Sequence, residues 1–165
     1  MRDKLALLMY QSWADLDTAA DGIASGDATH RHDGGSSIAW TTGHVTNMVD
    51  SWLNVRFQAL SPHPLISDTD FRTGGGGEAT DWPLILAGVK EVREAARRFL
   101  DAEPDLDSVV PYDGSIAYLR PVGLSLRYAL MRIAAHHFVH VGEIVTIRSH
   151  LGHMVDFPEW GRTLV

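Results

Sequence analysis

The stretch LSLRYALMRIAAHHFVHVGEIVTIRSHL, residues 124–151, decides the fold because it predicts one long amphipathic helix. Its core-facing residues recur every three or four positions, which is the period of an α-helix. They form one stripe: Leu126, Leu130, Ile133, His136, His140, Ile144, Ile147 and Leu151. Gly152 follows as a C-cap. A helix from Leu124 to Leu151 is about 40 Å long at roughly 1.5 Å per residue, enough to form the main element of a helical bundle.

Three other segments show the same helical period. Each has an apolar stripe and recognisable boundary residues, such as Ser-Pro or Thr-Asp-Trp-Pro. The predicted helices run from Asp3 to Ile23, from Ile38 to Leu60, and from Thr80 to Leu100. Four amphipathic helices with almost no strand signal predict an all-α protein, a four-helix bundle formed by all 165 residues as one domain.

The connections between these helices are long enough to cross over the bundle. Residues 25–37 are polar and predict a loop, and the stretch up to Ala79 contains Gly74 to Gly77, which predicts a flexible loop. Before the last helix, Val109–Tyr112 and Ile116–Leu119 flank Asp113-Gly114. That pattern fits either a small hairpin around this turn or an extended crossover loop.

Composition excludes several classes of protein. The chain has no Cys, so disulfide scaffolds, iron–sulfur clusters and thiol nucleophiles of its own are excluded, and any metal must be held by His, Asp or Glu. The formal net charge of −7 argues against a nucleic-acid-binding protein. There is no apolar leader and no long apolar run, so we expect neither a signal peptide nor a membrane span, and a cytoplasmic location.

Three histidines occupy positions where a helical bundle normally places Leu. His136 and His140 are one turn apart on the apolar stripe of the last helix, so both imidazoles lie on one face. His44 lies on the stripe of the second helix, together with Trp40, Met48 and Trp52. Both stripes face the core, so the three rings can converge on one divalent metal ion and leave a coordination position open.

The alternative is that each histidine is a hydrogen-bonded core residue without a metal. A single core His favours that interpretation, whereas an i,i+4 pair with a third His on a facing helix favours the metal. His137 lies beside the stripe, which predicts a supporting contact to the metal ligands or a contact to the third helix. The remaining histidines, His30, His32, His63, His150 and His153, are expected at the surface.

Two motifs resemble the DinB-like (YfiT-like) metal-dependent superfamily. One is His136-His137-Phe138-Val139-His140-Val141-Gly142-Glu143-Ile144, and the other is Ala39-Trp40-Thr41-Thr42-Gly43-His44-Val45. The resemblance implies a helical bundle with a metal triad at His44, His136 and His140. This chain has Val141 where many members have Arg, and Glu143 where many have Gln. A carboxylate at Glu143 either orients a ligating His or faces solvent.

The resemblance also suggests two reactions. Members include transferases and isomerases that use low-molecular-weight thiols such as mycothiol or bacillithiol, and others are described as metal-dependent hydrolases. A divalent ion with an open position lowers the pKa of a bound thiol, and equally that of a bound water. Zinc is the expected ion, and nickel, iron and copper also suit three His ligands. The competing class is a non-catalytic metal-binding module that serves as a dimeric stress protein or sensor.

Aromatic residues are the candidates for the pocket walls: Tyr10, Trp13, Trp40 and Trp52. The expected partner is a small-molecule substrate, with neither nucleic acid nor membrane. The family resemblance implies a homodimer, for which the tail residues Phe157 and Trp160 would supply apolar contacts.

Overall fold

Four long helices carry the fold in the computed structural model, which describes residues 3–157. They are α1 (Lys4–Ala20), α3 (Ile38–Val49), α4 (Trp82–Asp101) and α5 (Leu126–His150), and a short helix α2 (Ser25–Thr29) follows α1. The long helices begin where a side chain caps the first turn, namely at Asp3, Ser37, Asp81 and Ser125. Each of these side chains accepts a backbone N–H that has no partner inside the helix. The predicted all-helical class is confirmed.

The core lies between α1, α3, α4 and α5. Helix α1 packs chiefly against α5, and α3 packs against both α4 and α5. The largest fully buried apolar side chains come from several of these elements: Met9, Trp13, Leu16, Ile38, Leu53, Leu130, Ile133 and Ile144. Burial of each such side chain contributes about 1.5–3 kcal/mol, so this packing fixes the relative positions of α3 and α5.

The second predicted helix ends earlier than expected. Helix α3 continues as a π-helical segment, Asp50–Phe57, and stops before Leu60. Ala59 then adopts a left-handed conformation with φ of 55°, which turns the chain away from the helix axis. The buried Asp50 carboxylate accepts hydrogen bonds from the backbone N–H of His63 (2.8 Å) and from the Ser67 hydroxyl (2.6 Å). These bonds fold the following segment back onto the helix.

The prediction of a flexible loop after this helix is wrong for residues 61–72. Ile66 and Phe71 are buried there, and Asn47 of α3 donates to the Ile66 carbonyl (2.8 Å). A 3-10 turn, Thr69–Phe71, lies against α3. Nothing in the apolar periodicity predicts this packing, because the anchoring hydrogen bonds involve backbone atoms of His63 and Ile66 and the hydroxyl of Ser67.

The predicted loop of residues 25–37 also contains regular structure. Helix α2 and a 3-10 turn, His32–Gly34, occupy most of it. Ala28 of α2 is fully buried, which explains why a polar stretch folds against the bundle.

A two-stranded antiparallel pair precedes α5, but its second strand is not the predicted one. Strand β1 (Val109–Val110) pairs with β2 (Leu124–Ser125), while Ala117–Leu119 form a 3-10 turn. Gly123 has a φ of 82°, and a side chain there would stand 2.8 Å from the Val110 carbonyl oxygen. The glycine therefore allows the chain to return beside β1, and the Asp113-Gly114 turn lies inside a longer connection.

Among residues 3–157, none of the helices is long and apolar enough to cross a membrane. Phe157 packs partly buried against the core, so it does not present the exposed apolar surface expected of an interface residue. Trp160 lies outside the described residues.

Candidate metal centre

Helices α3 and α5 bring three imidazoles together. His44 comes from α3, and His136 and His140 come from successive turns of α5. One ligand atom from each ring lies within 4.8 Å of the other two. The ring centroids of His44 and His136 are 4.9 Å apart, and those of His44 and His140 are 5.2 Å apart. The structure thus groups the three histidines that the sequence selected.

Hydrogen bonds determine which ring nitrogen is available in two of the three histidines. His44 Nδ1 donates to the main-chain carbonyl of Phe71 (2.7 Å), and a carbonyl oxygen can only accept. His140 Nδ1 donates to Glu143 Oε2 (2.6 Å), and an ionised carboxylate also only accepts. In the neutral form of each ring, this arrangement leaves Nε2 unprotonated and free to bind a metal. Such outer hydrogen bonds are the usual means of fixing the tautomer and orientation of a metal-ligating His.

The spacing of two ligand atoms fits a tetrahedral ion. His140 Nε2 lies 3.2 Å from His136 Nε2. Two nitrogens bound at 2.0–2.1 Å to a tetrahedral metal are about 3.3–3.4 Å apart, so this pair is close to the required edge length. Two facing lone pairs at this distance repel unless a proton or a cation lies between them. The residues present therefore fit a divalent metal, with the Nε2 atoms of His136 and His140 at the required spacing and His44 supplying a third ligand atom within 4.8 Å of them.

Burial favours the neutral form of two of these rings, those of His136 and His44. It lowers the pKa of His136 to about 3, and the neighbouring His140 and His44 add to the effect. It also lowers the pKa of His44, although the hydrogen bond to the Phe71 carbonyl opposes the shift. A neutral imidazole is the form that binds a metal, so the surroundings favour the ligating state near neutral pH.

The Trp40-Thr-Thr-Gly43-His44 segment anchors the loop that orients His44. The Trp40 ring stacks on the His44 ring, with centroids 4.6 Å apart and planes 9° apart. Trp40 Nε1 donates to the Asp70 carbonyl (2.6 Å), one residue before the carbonyl that His44 uses. Gly43 leaves room for the Phe71 ring, because a side chain at this position would stand 2.5 Å from Phe71 Cδ1. Trp40, Gly43 and His44 therefore each have a geometric role in this motif.

A cavity of about 830 Å³ opens beside two of the three histidines, His44 and His136. Its apolar side includes Met48, Trp52, Val55, Tyr112 and Ile116. Its charged side chains are Arg56, Arg72, Arg132 and Asp113. The cavity is large enough for a small organic molecule and leads to the edge of the histidine cluster.

Among the predicted pocket walls, only Trp52 lines this cavity. Tyr10 and Trp13 do not line it, because both lie in a separate groove between α1 and α4. Arg97 lies over the Tyr10 ring there, 4.6 Å from its centroid. Trp40 does not line the cavity either, because its ring stacks on the ring of the metal-ligand candidate His44.

His137 stays apart from the histidine cluster. It is fully buried, and its Nδ1 donates to the Ile133 carbonyl one turn earlier (2.9 Å). Burial holds the pKa of His137 well below its ordinary value, and the nearby Arg93 of α4 adds to the effect. Of the two predicted roles, the structure therefore places His137 towards the third long helix.

Glu143 contacts His140 and so takes the orienting position that the sequence left open.

His63 is half-buried. Its Nδ1 accepts the backbone N–H of Ile66 (3.1 Å), and its Nε2 lies 3.1 Å from Glu91. His150 and His153 are exposed, as predicted.

Sequence reasoning missed three features of the site: the Phe71 carbonyl, Arg132 and Arg72. The Phe71 carbonyl belongs to a loop with no helical pattern, and a backbone acceptor has no sequence signal. Arg132 did have a signal, because Arg132, His136 and His140 follow one another at intervals of four and share one face of α5. Arg72, from the same loop as Phe71, had none.

Comparison with protein families agrees with this geometry. The model of the DinB superfamily matches residues 8–144, which include all three histidines and both motifs. Neither the curated proteins nor the solved structures give a significant match. The match extends over most of the chain, and the chain therefore belongs to the DinB superfamily.

Proposed function

We propose that the chain is a metal-dependent enzyme in which three histidines hold a divalent cation that activates a low-molecular-weight thiol. The thiol would then be transferred to a small electrophile, or would promote its isomerisation. Zinc is the first metal to test, followed by nickel and iron. Mycothiol is the first natural thiol to test and bacillithiol the second.

One observation carries this proposal: three imidazoles converge at the edge of a cavity of about 830 Å³. A structural metal site is normally closed by four protein ligands, whereas a catalytic one keeps a position for substrate. The described residues offer three ligand atoms and no fourth. The adjoining cavity supplies space for both a thiol and its acceptor, which favours catalysis over a purely metal-binding or sensor function.

The charges of the cavity favour a thiol over water as the activated group. Hydrolysis generally benefits from a free carboxylate or His that moves a proton to the leaving group. Asp113 is the only carboxylate among the described residues that line the cavity, and it is paired with Arg56. A thiol needs only to lose its proton, and since the chain has no Cys, the thiol must come from another molecule.

In the proposed reaction, the metal and the residues around it have separate roles. When bound, the metal would lower the pKa of a coordinated thiol. The Phe71 carbonyl and Glu143 hold two imidazole rings in the ligating tautomer. The apolar cavity wall positions the electrophile and excludes water. A carbon–sulfur bond forms as the bond to the leaving group breaks, and the thiol proton passes to solvent.

Metal content and thiol binding test the proposal. We expect the purified protein to hold about one divalent ion per chain, and the cobalt-loaded form to develop a thiolate-to-cobalt charge-transfer band on addition of 2-mercaptoethanol. His44→Ala, His136→Gln and His140→Gln should each lose the metal. His150→Gln removes an exposed histidine from the same helix and should retain it.

Two results would contradict the proposal. Equal metal content in His136→Gln and His150→Gln would exclude the histidine site. Stoichiometric cobalt with no thiolate band would leave hydrolysis or a non-catalytic metal-binding module as the better explanation. The predicted homodimer is a separate proposal, tested by light scattering of the purified protein.

A further inference from the structure

The cavity beside the histidines carries a positive charge that the rest of the protein does not. Three arginines line it, Arg56, Arg72 and Arg132, against one acidic residue, Asp113. The formal net charge of the whole chain is −7. A cationic cavity in an acidic protein does not follow from overall composition, so it requires a local explanation.

Arg56 makes structural contacts with the connection that precedes α5. Its Nη2 lies 2.5 Å from Asp113 Oδ1, and its Nη1 donates to the Pro111 carbonyl (3.3 Å). Its guanidinium also lies over the Tyr112 ring, 4.9 Å from the centroid. These contacts tie the connection before α5 to the π-helical segment. The Arg56–Asp113 pair adds no net charge to the cavity.

Arg132 and Arg72 supply the uncompensated charge. Arg132 forms no hydrogen bond or ion pair with any residue in the range 3–157, although it lies one turn before His136 on the same face of α5. Arg72 makes one long contact, from its Nη2 to the Ser67 carbonyl (3.4 Å), and no ion pair within the described range. Two guanidinium groups without carboxylate partners thus line a cavity that ends at the histidine cluster.

The opposite wall of the cavity is apolar. Met48, Val55 and Ile116 provide aliphatic surface, and Trp52 and Tyr112 provide aromatic surface, with ring centroids 6.2 Å apart. An occupant that satisfies both walls has an apolar body and an anionic group. Guanidinium binds carboxylate with paired, charge-assisted hydrogen bonds, which are stronger than neutral ones.

We propose that the substrate of this site is a small carboxylic acid with an apolar body, whose carboxylate binds Arg132 and Arg72. This inference rests on the proposed function for the reaction that the carboxylic acid undergoes. The preference for an anion depends on the arginines alone and does not require that reaction. Asp113 neutralises Arg56, so Arg56 does not add to the preference of the cavity for an anion.

Calorimetric titration with a matched pair of probes tests the inference. Phenylacetate and phenylacetamide have nearly the same shape and differ by one charge. We expect the protein to bind phenylacetate at least tenfold more tightly than phenylacetamide. This preference should fall about tenfold in Arg132→Met and Arg72→Met. Arg98→Met, which removes an exposed arginine from α4, is the matched control and should leave the preference unchanged.

Two further arms separate the arginines from other sources of affinity. Asp113→Asn frees the Arg56 guanidinium and should strengthen phenylacetate binding without changing phenylacetamide binding. The preference should also persist in protein stripped with a chelator and shown by circular dichroism to remain helical. If it disappears with the metal, the ion selects the anion and the inference is wrong.

Equal binding of the two probes, including no measurable binding of either, would overturn the inference, as would equal effects of Arg132→Met and Arg98→Met. These failures are distinguishable from failure of the proposed function. 2-Mercaptoethanol is uncharged, so the cobalt charge-transfer band of the unmodified protein reports thiol binding independently of the arginines.

Discussion

Gly43→Ala places one methyl group where the structure has no room for it. The new Cβ would stand 2.5 Å from Phe71 Cδ1 and 2.9 Å from Phe71 Cζ, whereas ordinary contacts begin at 3.4 Å. The ring must therefore recede by about 1 Å, which is the difference between 3.4 Å and the 2.5 Å to Cδ1. Phe71 is only 4% exposed, so it has little space to move into. Its carbonyl accepts the His44 Nδ1 hydrogen at 2.7 Å, and displacement of the residue strains that bond.

Gly142→Ala is the matched comparison for the size of this effect. Gly142 is also helical, lies two residues after His140, and has nothing within 4 Å of the position of a Cβ. Both substitutions gain up to about 1 kcal/mol of helix propensity, so that gain cancels between them. The difference in unfolding free energy then isolates overpacking, which costs about 1–3 kcal/mol. Loss of the outer hydrogen bond to His44 should weaken metal affinity about 10–100-fold.

Chemical denaturation of the metal-free proteins measures the first quantity, and competition with a chromophoric chelator measures the second. We expect Gly43→Ala to be the less stable and the weaker-binding variant. Adding Phe71→Leu to Gly43→Ala should restore part of the metal affinity, because the smaller side chain makes room. If Gly43→Ala and Gly142→Ala bind metal equally tightly, the Phe71 loop does not orient His44 and the reasoning fails.

Three other predictions follow from single contacts. Glu143→Ala removes the acceptor of the His140 Nδ1 hydrogen and should weaken metal affinity about 10–100-fold by chelator competition, whereas Glu143→Gln keeps an acceptor and should lose less. Trp40→Phe keeps an aromatic ring against His44 but loses the bond to the Asp70 carbonyl, which should cost about 1 kcal/mol in urea denaturation. The metal-free protein should lose stability in acid because of His137. Burial holds the pKa of its imidazole well below the ordinary 6.5, so between the two pKa values the unfolded chain binds a proton that the folded chain does not. Stability is therefore full above 6.5 and falls below it, by about 2 kcal/mol at pH 5 relative to pH 8. His137→Leu should remove this part of the pH dependence, and an unchanged slope would contradict it.

The helices could be predicted because burial of one face imposes a period that the sequence shows directly. The stripe containing His136 and His140 placed both rings on one side of α5, and the stripe containing His44 faced them. The small strand pair could not be predicted in the same way. Its second strand depends on Gly123, whose positive φ lets the chain return beside β1, and two-residue strands have too few positions to show a period.

The hydrogen-bond acceptors around the site could not be predicted from sequence patterns, for a different reason. The acceptors for Trp40 and His44 are main-chain carbonyls in the 3-10 turn after the second long helix. Any residue type supplies a carbonyl, so only the fold identifies which one is used. Glu143 is the opposite case, because its carboxylate lies three residues after His140 on one helix, and helical spacing alone brings the two together.

The direction of approach to the site follows from which histidines the cavity touches. His44 and His136 line the cavity, whereas His140 is not among its lining residues and its Nδ1 is covered by Glu143. A ligand therefore reaches the cluster past His44 and His136. Arg132 precedes His136 by one turn on the same helix face, so it lies along that approach. We expect an anion held by Arg132 to place its apolar body against the cavity wall. Arg132, His136 and His44 therefore define one side of the cluster, and we expect a substrate to enter from that side.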